Sequence, residues 1–425
     1  MSSKRFLTLI LLSVFGLSLM CVATSEIEAQ PRGKSALDKI RKQREKREAE
    51  AEKKADDDSA ADEKADAPQN DDDMMETEIG EHVVIRSDIN YGAVVPPHRE
   101  SEDTADADAP EDDGAEPKDA VKKEGESTSD DKEESDASDT ADRDHLLDLY
   151  LPKDAENFPV VFFVHGGSWV FGEKRHGKAI ARGLVDDGYG VVSINYTLCF
   201  VDVANDQRSQ FPTFVEDAAA AFKWTWDTIA EYGGNRDRIF IAGHSAGGHI
   251  ATVLASNPKF LKAHELDNQE VIKGQIGISG VYEIEFGNKM MDSVIFGVPF
   301  PNDEEQREQA SPVKQVREGD APALLIYAQT ELPMIKTWAA SYKTALEEHD
   351  VPITAKLILK RTHESILREF GTANDEAEKV VLAFLTDRIA ELDAADEEAQ
   401  AESDGDDSKG KEDAQAKPEP AESAK

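Results

Sequence analysis

The sequence predicts an α/β domain, a mainly parallel sheet with helices on both faces. Three observations carry that prediction. From residue 158 onward, short apolar runs alternate with longer amphipathic stretches, the pattern of strand followed by helix. Residues 160–164 (VVFFV) are apolar at every position, as expected of a strand buried on both faces. Finally, Gly243-His244-Ser245-Ala246-Gly247-Gly248 lies between a short apolar run and a helical stretch, and reads as a sharp strand-to-helix bend.

The elements follow in order. Residues 82–89 (HVVIRSDI) form a first strand and residues 145–151 (HLLDLYL) a second. A long acidic stretch between them is tolerable within one domain, because lengthening a flexible loop costs only logarithmically in closure entropy. Residues 160–164 are the next strand. A helix is predicted at 176–187, a strand at 190–196 (GVVSINY), and a long helix at 213–232 closed by Gly233-Gly234. Residues 239–242 lead as a strand into the bend at Gly243, and a helix at 245–255 ends before Asn257-Pro258. Strands at 272–279, 323–328 and 353–359 and helices at 334–348 and 374–392 complete the domain. No internal repeat is visible.

The 425 residues carry a formal charge of −40, and the charge is uneven. Segments 30–78, 96–143 and 391–425 hold 16, 19 and 13 acidic against 11, 6 and 4 basic side chains, so they account for −27 of it. They also hold few large apolar residues. Residues 34–55 have the helix formers and charge spacing of a solvated single helix, and 56–73 have the composition of disorder. The domain boundaries read as a charged linker at 30–78, a folded domain at 79–392 with the acidic stretch at 96–143, and a disordered acidic tail at 393–425. Nucleic acid is excluded as a partner, because phosphate contacts need clustered Lys and Arg. Lys4 and Arg5 precede an apolar run at 6–22, with small residues at Ala23 and Ala29, so residues 1–29 read as an export signal. The run is short for a stable membrane span, and an uncleaved anchor is the alternative. Removal of the signal leaves Cys199 as the one cysteine, read as a small buried hydrophobe, so no internal disulfide is expected.

The chemistry is concentrated in four places. A nucleophile on a tight turn needs glycine on either side, because a β-carbon there would strike neighbouring backbone. This makes Ser245 the nucleophile, with the helix N-terminus behind it supplying free N–H groups. Next, His165-Gly166-Gly167-Ser168-Trp169 follows the apolar strand directly. Its paired glycines let backbone amides turn toward a substrate carbonyl, so Gly166, Gly167 and Ser168, with Ala246, form the expected oxyanion hole. His363, placed after the last strand, is the general base. The acid is Glu331, after the strand at 323–328, which keeps the chain order serine, carboxylate, histidine; Asp350 is its rival. A helix-start glutamate that merely complements the dipole is the structural alternative for Glu331. No histidine spacing suggests a metal site, and this chemistry needs no metal or organic cofactor.

These residues resemble the α/β-hydrolase family. Within it they are similar to carboxylesterases with an HGG-type oxyanion loop, in the feruloyl-esterase-like and hormone-sensitive-lipase-like branches. Ser193-Ile194-Asn195-Tyr196, Phe211-Pro212, Asp217, Tyr232-Gly233-Gly234-Asn235 and Ser279-Gly280-Val281-Tyr282 also look like the family pattern. Departures are Ser168 in place of a third glycine, Thr197 where an arginine is usual, and the acid loop Ala328-Gln329-Thr330-Glu331. The resemblance implies the α/β-hydrolase fold and two-step acyl transfer on a small-molecule ester. It also implies that the first two strands are neighbours, so that the acidic stretch at 96–143 is an insertion between them. Residues 282–322 are expected to pack over the site as a small lid. Trp169, Tyr282 and Leu332 are candidates to line the pocket, or equally to be core. A compact lid favours small or aromatic esters. Competing readings are a formamidase-like amide hydrolase and a non-enzymatic binding protein on the same scaffold. The oligomeric state is open.

Overall fold

The computed structural model describes residues 82–92, 144–199, 201–202 and 207–415. The expected signal (1–29), the charged segment 30–78 and the acidic insertion 96–143 lie outside the described residues, as do residues 416–425. The elements used below are β1 (Val83–Asn90), β2 (Leu146–Pro152), β3 (Phe158–Val164), α1 (Gly177–Leu184), β4 (Gly190–Ile194), the small strands β5 (Val201–Asp202) and β6 (Gln207–Arg208), α2 (Thr213–Thr228), β7 (Gly234–His244), α3 (Ala246–Ser256), β8 (Gln275–Ile278), β9 (Ala323–Thr330), α4 (Pro333–Glu348), β10 (Ile353–Thr362) and α5 (Glu376–Gln415).

Eight strands form one sheet in the order β1-β2-β4-β3-β7-β8-β9-β10. β1 pairs antiparallel with β2 and β2 antiparallel with β4, while every pair from β4 to β10 is parallel. β5 and β6 make a separate two-stranded ribbon.

Side-chain alternation along β3 divides the interior into two layers. Val160, Phe162 and Val164 join Phe214 and Ala218 of α2, Ile250 and Leu254 of α3, and Trp338 and Tyr342 of α4. Val161 and Phe163 join Ile180 and Leu184 of α1 and Val381 and Leu385 of α5. Both faces of the parallel region are therefore dry, which is why its strands are apolar at successive positions. β1, at the edge, is largely exposed and shows no such run.

β1 and β2 are neighbours although residues 91–145 separate them. The Tyr91 amide donates to the His145 carbonyl (3.1 Å), and the Tyr91 hydroxyl donates to the Asp144 (3.1 Å) and Asn195 (2.9 Å) carbonyls. The two flanks of the acidic stretch thus meet at one point. An ion group fastens the edge strand: Lys174 Nζ lies 2.8 Å from both buried Asp148 and exposed Asp88. Burial pulls the Lys174 pKa down, but the two carboxylates outweigh it and hold the ammonium charged.

Some boundaries differ from the sequence reading. β8 covers only Gln275–Ile278 instead of 272–279, because the Ile272 amide is used to close the short helix Asn268–Val271. β7 begins at Gly234, earlier than 239, through pairing with Phe158. The last helix continues to Gln415, so the segment 393–415 assigned to a disordered tail has a helical backbone. Ala and Glu predominate at 394–402 and favour helix there, and Arg238 pairs with Asp393 (3.0 Å) and with Asp396 on this helix. Among the described residues, no helix is long and apolar enough to cross a membrane. Cys199 is buried and unpaired, and burial pushes its thiol pKa up to about 12.

Phe162 is fully buried at the centre of the sheet and packs edge-on against Phe222 of α2. Phe162→Ala is expected to cost about 3–5 kcal/mol of stability, read as a lower denaturant midpoint in equilibrium unfolding. A change below about 1 kcal/mol would contradict this placement of the core.

Candidate active site

The bend between β7 and α3 is built by the absence of side chains. A β-carbon on Gly243 would lie 2.2 Å from the Gly247 carbonyl oxygen. One on Gly247 would lie 2.1 Å from the Val164 carbonyl oxygen and 2.4 Å from that of His165. Neither approach is open to any residue but glycine. Between them Ser245 takes φ 53° and ψ −117°, a sparsely populated conformation for a residue with a side chain. Its amide donates to the Ile278 carbonyl at the end of β8 (2.9 Å), and its carbonyl accepts from His249 (3.1 Å). The hydroxyl is thereby lifted clear of the sheet edge.

His363 follows β10 directly. Its Nε2 lies 2.9 Å from Ser245 Oγ and its Nδ1 lies 2.8 Å from Glu331 Oε2. A carboxylate can only accept, so Nδ1 carries the proton and Nε2 accepts from the serine hydroxyl. Glu331 sits just past β9 with a fully buried side chain. Its other oxygen accepts from the Ala328 amide (3.1 Å) and the Ser279 hydroxyl. Burial alone would raise the Glu331 pKa, but the bonds from His363, Ser279 and Ala328 prevail and hold it below the ordinary value. Burial likewise pulls His363 down, yet Glu331 prevails and raises it. The structure thus brings Ser245, His363 and Glu331 into one hydrogen-bonded chain. The rival carboxylate Asp350 is exposed in the turn before β10, with the whole strand between it and His363.

The HGG segment packs against this bend. A β-carbon on Gly166 would lie 3.2 Å from Ser245 Cβ and 2.8 Å from His244 Nδ1. Gly167, Ser168 and Trp169 have consecutive φ values of 123°, 51° and 59°, so the chain turns sharply here. The carbonyl of Gly167 accepts from Val170 (3.0 Å) and Phe171 (3.1 Å), which closes the turn on itself. Ala246 is the first residue of α3, whose leading amides have no partner within the helix. Gly166 and Ala246 therefore adjoin Ser245, and Gly167 and Ser168 follow Gly166 in the turn.

The pocket candidates fare differently. Trp169 is buried among Phe214, Phe296 and Phe300, and its indole N–H donates to His249 Nδ1 (3.3 Å). Tyr282 is buried and stacks on Tyr342 with ring centres 4.9 Å apart. Both are core residues. Of the three, only Leu332 is partly exposed. Phe171, beyond the HGG turn and 48% exposed, was not singled out by sequence.

Three further residues escaped sequence reasoning. His249 donates from Nε2 to the Ala310 carbonyl (2.7 Å) and accepts from Trp169, linking the HGG turn to segment 282–322. Ser279, in a left-handed conformation at φ 48°, orients the Glu331 carboxylate. His244 Nε2 donates to the His363 carbonyl (2.8 Å). Burial drives the pKa of both histidines down to about 4, so both are neutral at physiological pH. Each lies in or beside the GHSAGGH run, but nothing in that run reveals what its side chain meets. Among the described residues, no group of three or more His, Cys, Asp or Glu side chains is arranged to hold a metal ion.

A parallel sheet with antiparallel strands at one edge, a glycine-flanked serine after the fifth strand of that sheet in chain order, a carboxylate two strands later and a histidine after the last settle the classification. The chain has the α/β-hydrolase fold. Its residues 147–336 match the family model described as BD-FAE. It is 34% identical over 143 residues to a probable isoprenylcysteine alpha-carbonyl methylesterase of Oryza sativa subsp. japonica, covering 33% of each chain. It is 26% identical over 200 residues to the esterase LipC of Mycobacterium tuberculosis, covering 44% of this chain and 48% of that one. The chain thus spans from a third to about half the length of these relatives. A hyperthermophilic esterase structure from Pyrobaculum calidifontis is 22% identical, with a TM-score of 0.48 and coverage of 58% of this chain and 81% of that one.

The pH dependence of His363 follows from its partner. Glu331 raises the folded-state pKa of His363, so the stability gained from the pair is fully present below the unfolded histidine pKa, near 6.5, and is lost as pH rises through the folded value. Glu331→Gln is expected to move the His363 titration to lower pH, read from ring proton shifts by NMR. An unchanged midpoint would show that Glu331 does not govern the imidazole.

Proposed function

We propose that this protein is an exported serine carboxylesterase acting on small or aromatic carboxylic esters. The observation that carries the reading is the chain Ser245 Oγ, His363 Nε2, His363 Nδ1, Glu331 Oε2, with links of 2.9 and 2.8 Å. In the proposed cycle His363 takes the hydroxyl proton as Ser245 attacks the ester carbonyl. The forming oxyanion is received by the amides of Gly167, Ser168 and Ala246, with Gly166 allowing their close approach. Such donors contribute about 3–4 kcal/mol each. Protonated His363 then gives its proton to the leaving alcohol, and a water activated by the same nitrogen releases the acid from Ser245. Glu331 holds the ring in the one tautomer that can accept from serine and stabilises the imidazolium that forms. No organic cofactor or metal enters the scheme.

The preference for small esters is supported by segment 282–322, which packs on the HGG turn through Phe296 and Phe300 against Trp169. A relative named as a methylesterase supports a small alcohol as leaving group. Phe171 and Leu332 offer apolar surface beside the HGG turn and the acid loop, suited to a short acyl chain or an aromatic ring. Export is supported by the basic start and apolar run of residues 4–22.

An ester panel tests the reading, using p-nitrophenyl acetate, p-nitrophenyl palmitate, an aromatic methyl ester and an N-formyl arylamine. Wild type is expected to prefer the acetate and the aromatic methyl ester over the palmitate, and Ser245→Ala to abolish turnover. Glu331→Gln is expected to lower kcat by about 10⁴-fold, the scale seen when a triad carboxylate is neutralised. Faster turnover of the formyl amide than of every ester would replace the esterase reading with an amidase one. Full activity in Glu331→Gln would remove Glu331 from its role.

A further inference from the structure

The base of the triad stands on poorly secured backbone. The β9–β10 ladder is regular from Ile353 to Ile358, then breaks before resuming at Thr362. Lys360, within the break, has φ 57° and donates its amide to the Gln329 side chain (2.9 Å) instead of the ladder. Beyond Thr362 the chain turns through a local pair of bonds, Thr362 amide to Ser365 Oγ (2.8 Å) and Ser365 amide to Thr362 Oγ1 (3.2 Å). Neither bond reaches the strand that carries the nucleophile.

His244 supplies that link. It is the last residue of β7, immediately before Ser245, and is 5% exposed. Its ring centre lies 4.9 Å from that of His363, with the planes inclined at 44°. The partner of its Nε2 is a carbonyl, which can only accept, so Nε2 carries the proton. Nδ1 is then the bare nitrogen, against Gly166, where a β-carbon would come within 2.8 Å. Two successive residues of one rigid segment therefore grip the base at two points. His244 holds the His363 main chain at 2.8 Å and Ser245 meets its imidazole at 2.9 Å.

We infer that His244 is a positioning residue, whose Nε2–H bond to the His363 carbonyl fixes the imidazole relative to the serine hydroxyl. The inference rests on the reading of Ser245 and His363 as nucleophile and base. The reach of the donor is what matters, not merely a buried ring: a glutamine places an amide N–H about where Nε2–H lies, an asparagine falls short, and a leucine has no donor.

The test uses the full chain and two readouts, the second-order rate of Ser245 labelling by a fluorophosphonate and the kcat and KM for p-nitrophenyl acetate. The variants are His244→Leu, His244→Asn and His244→Gln, with Ser245→Ala as the blank and thermal melts to confirm folding. His244→Leu and His244→Asn are expected to label about 10²-fold more slowly and to lose kcat in proportion, the scale of a small misplacement of reacting groups, with KM nearly unchanged. His244→Gln is expected to recover most of the rate. Leucine or asparagine variants that fold and label at the wild-type rate would overturn the inference, as would a glutamine variant no faster than asparagine. If the leucine variant does not fold, the glutamine–asparagine pair decides. A wild type that the probe does not label would instead defeat the reading of Ser245 itself, an outcome separable from failure of His244.

Discussion

Two stretches of main chain pass closer at the end of β7 than any β-carbon allows, and the active site depends on that approach. Gly247 lies against the carbonyls of Val164 and His165, and Gly243 against the carbonyl of Gly247 itself. One packing event therefore brings together the end of β3, the end of β7 and the first turn of α3. It lifts Ser245 above the sheet, aims the helix amides toward it, and sets the HGG segment beside it. The strained backbone of Ser245 costs on the order of 1–3 kcal/mol. It persists because β8, through Ile278, and α3, through His249, both hold its main chain.

Around that bend the structure is organised by buried polar groups, the Glu331 carboxylate and the His244 and His249 rings among them, that find partners. A carboxylate taken fully out of water is costly unless hydrogen-bonded. Glu331 meets that requirement with three donors, one being the imidazole whose tautomer it dictates. The histidines show the same principle from the other side. Burial makes His244 and His249 neutral, and neutral imidazole offers one donor and one acceptor with which to join segments of the fold. His363, facing a carboxylate, is driven the opposite way.

Segment 282–322 is tied to the catalytic layer rather than laid loosely across it. The Phe211 amide donates to Pro299 (2.8 Å) and His249 to Ala310, while within the segment Val313 donates to Tyr282 (3.1 Å). Buried Arg307 donates to the Pro301 and Glu285 carbonyls, 2.8 and 2.7 Å away, and binds Asp292. The aromatic group around Trp169 joins this segment to the HGG turn, which is why Trp169 lies in the core instead of the pocket, while Tyr282 is held in the core by stacking on Tyr342.

The sequence by itself determined the strands of the parallel sheet and their long covering helices from residue 158 onward, the glycine-flanked serine, the histidine after the last strand and a preference for Glu331 that left Asp350 open. Each is written in local terms: hydrophobic period, steric need for glycine, or chain order. The two strand patterns that bracket the acidic stretch are local as well, but their pairing as β1 and β2 is expected from the family resemblance alone. The sequence determined neither the β5–β6 ribbon nor the short helices between the main elements. It did not reveal the helix continuing to Gln415, because an acidic, alanine-rich run reads alike as solvated helix and as tail. Nor did it separate pocket from core for Trp169 and Tyr282, since both fates use large aromatic side chains. Which atoms His244, Ser279 and His249 meet was decided only by tertiary structure. A hydrogen bond between residues as far apart as His244 and His363 depends on how strands are ordered in the sheet and where their ends fall, and neither is encoded in the spacing of the residues themselves.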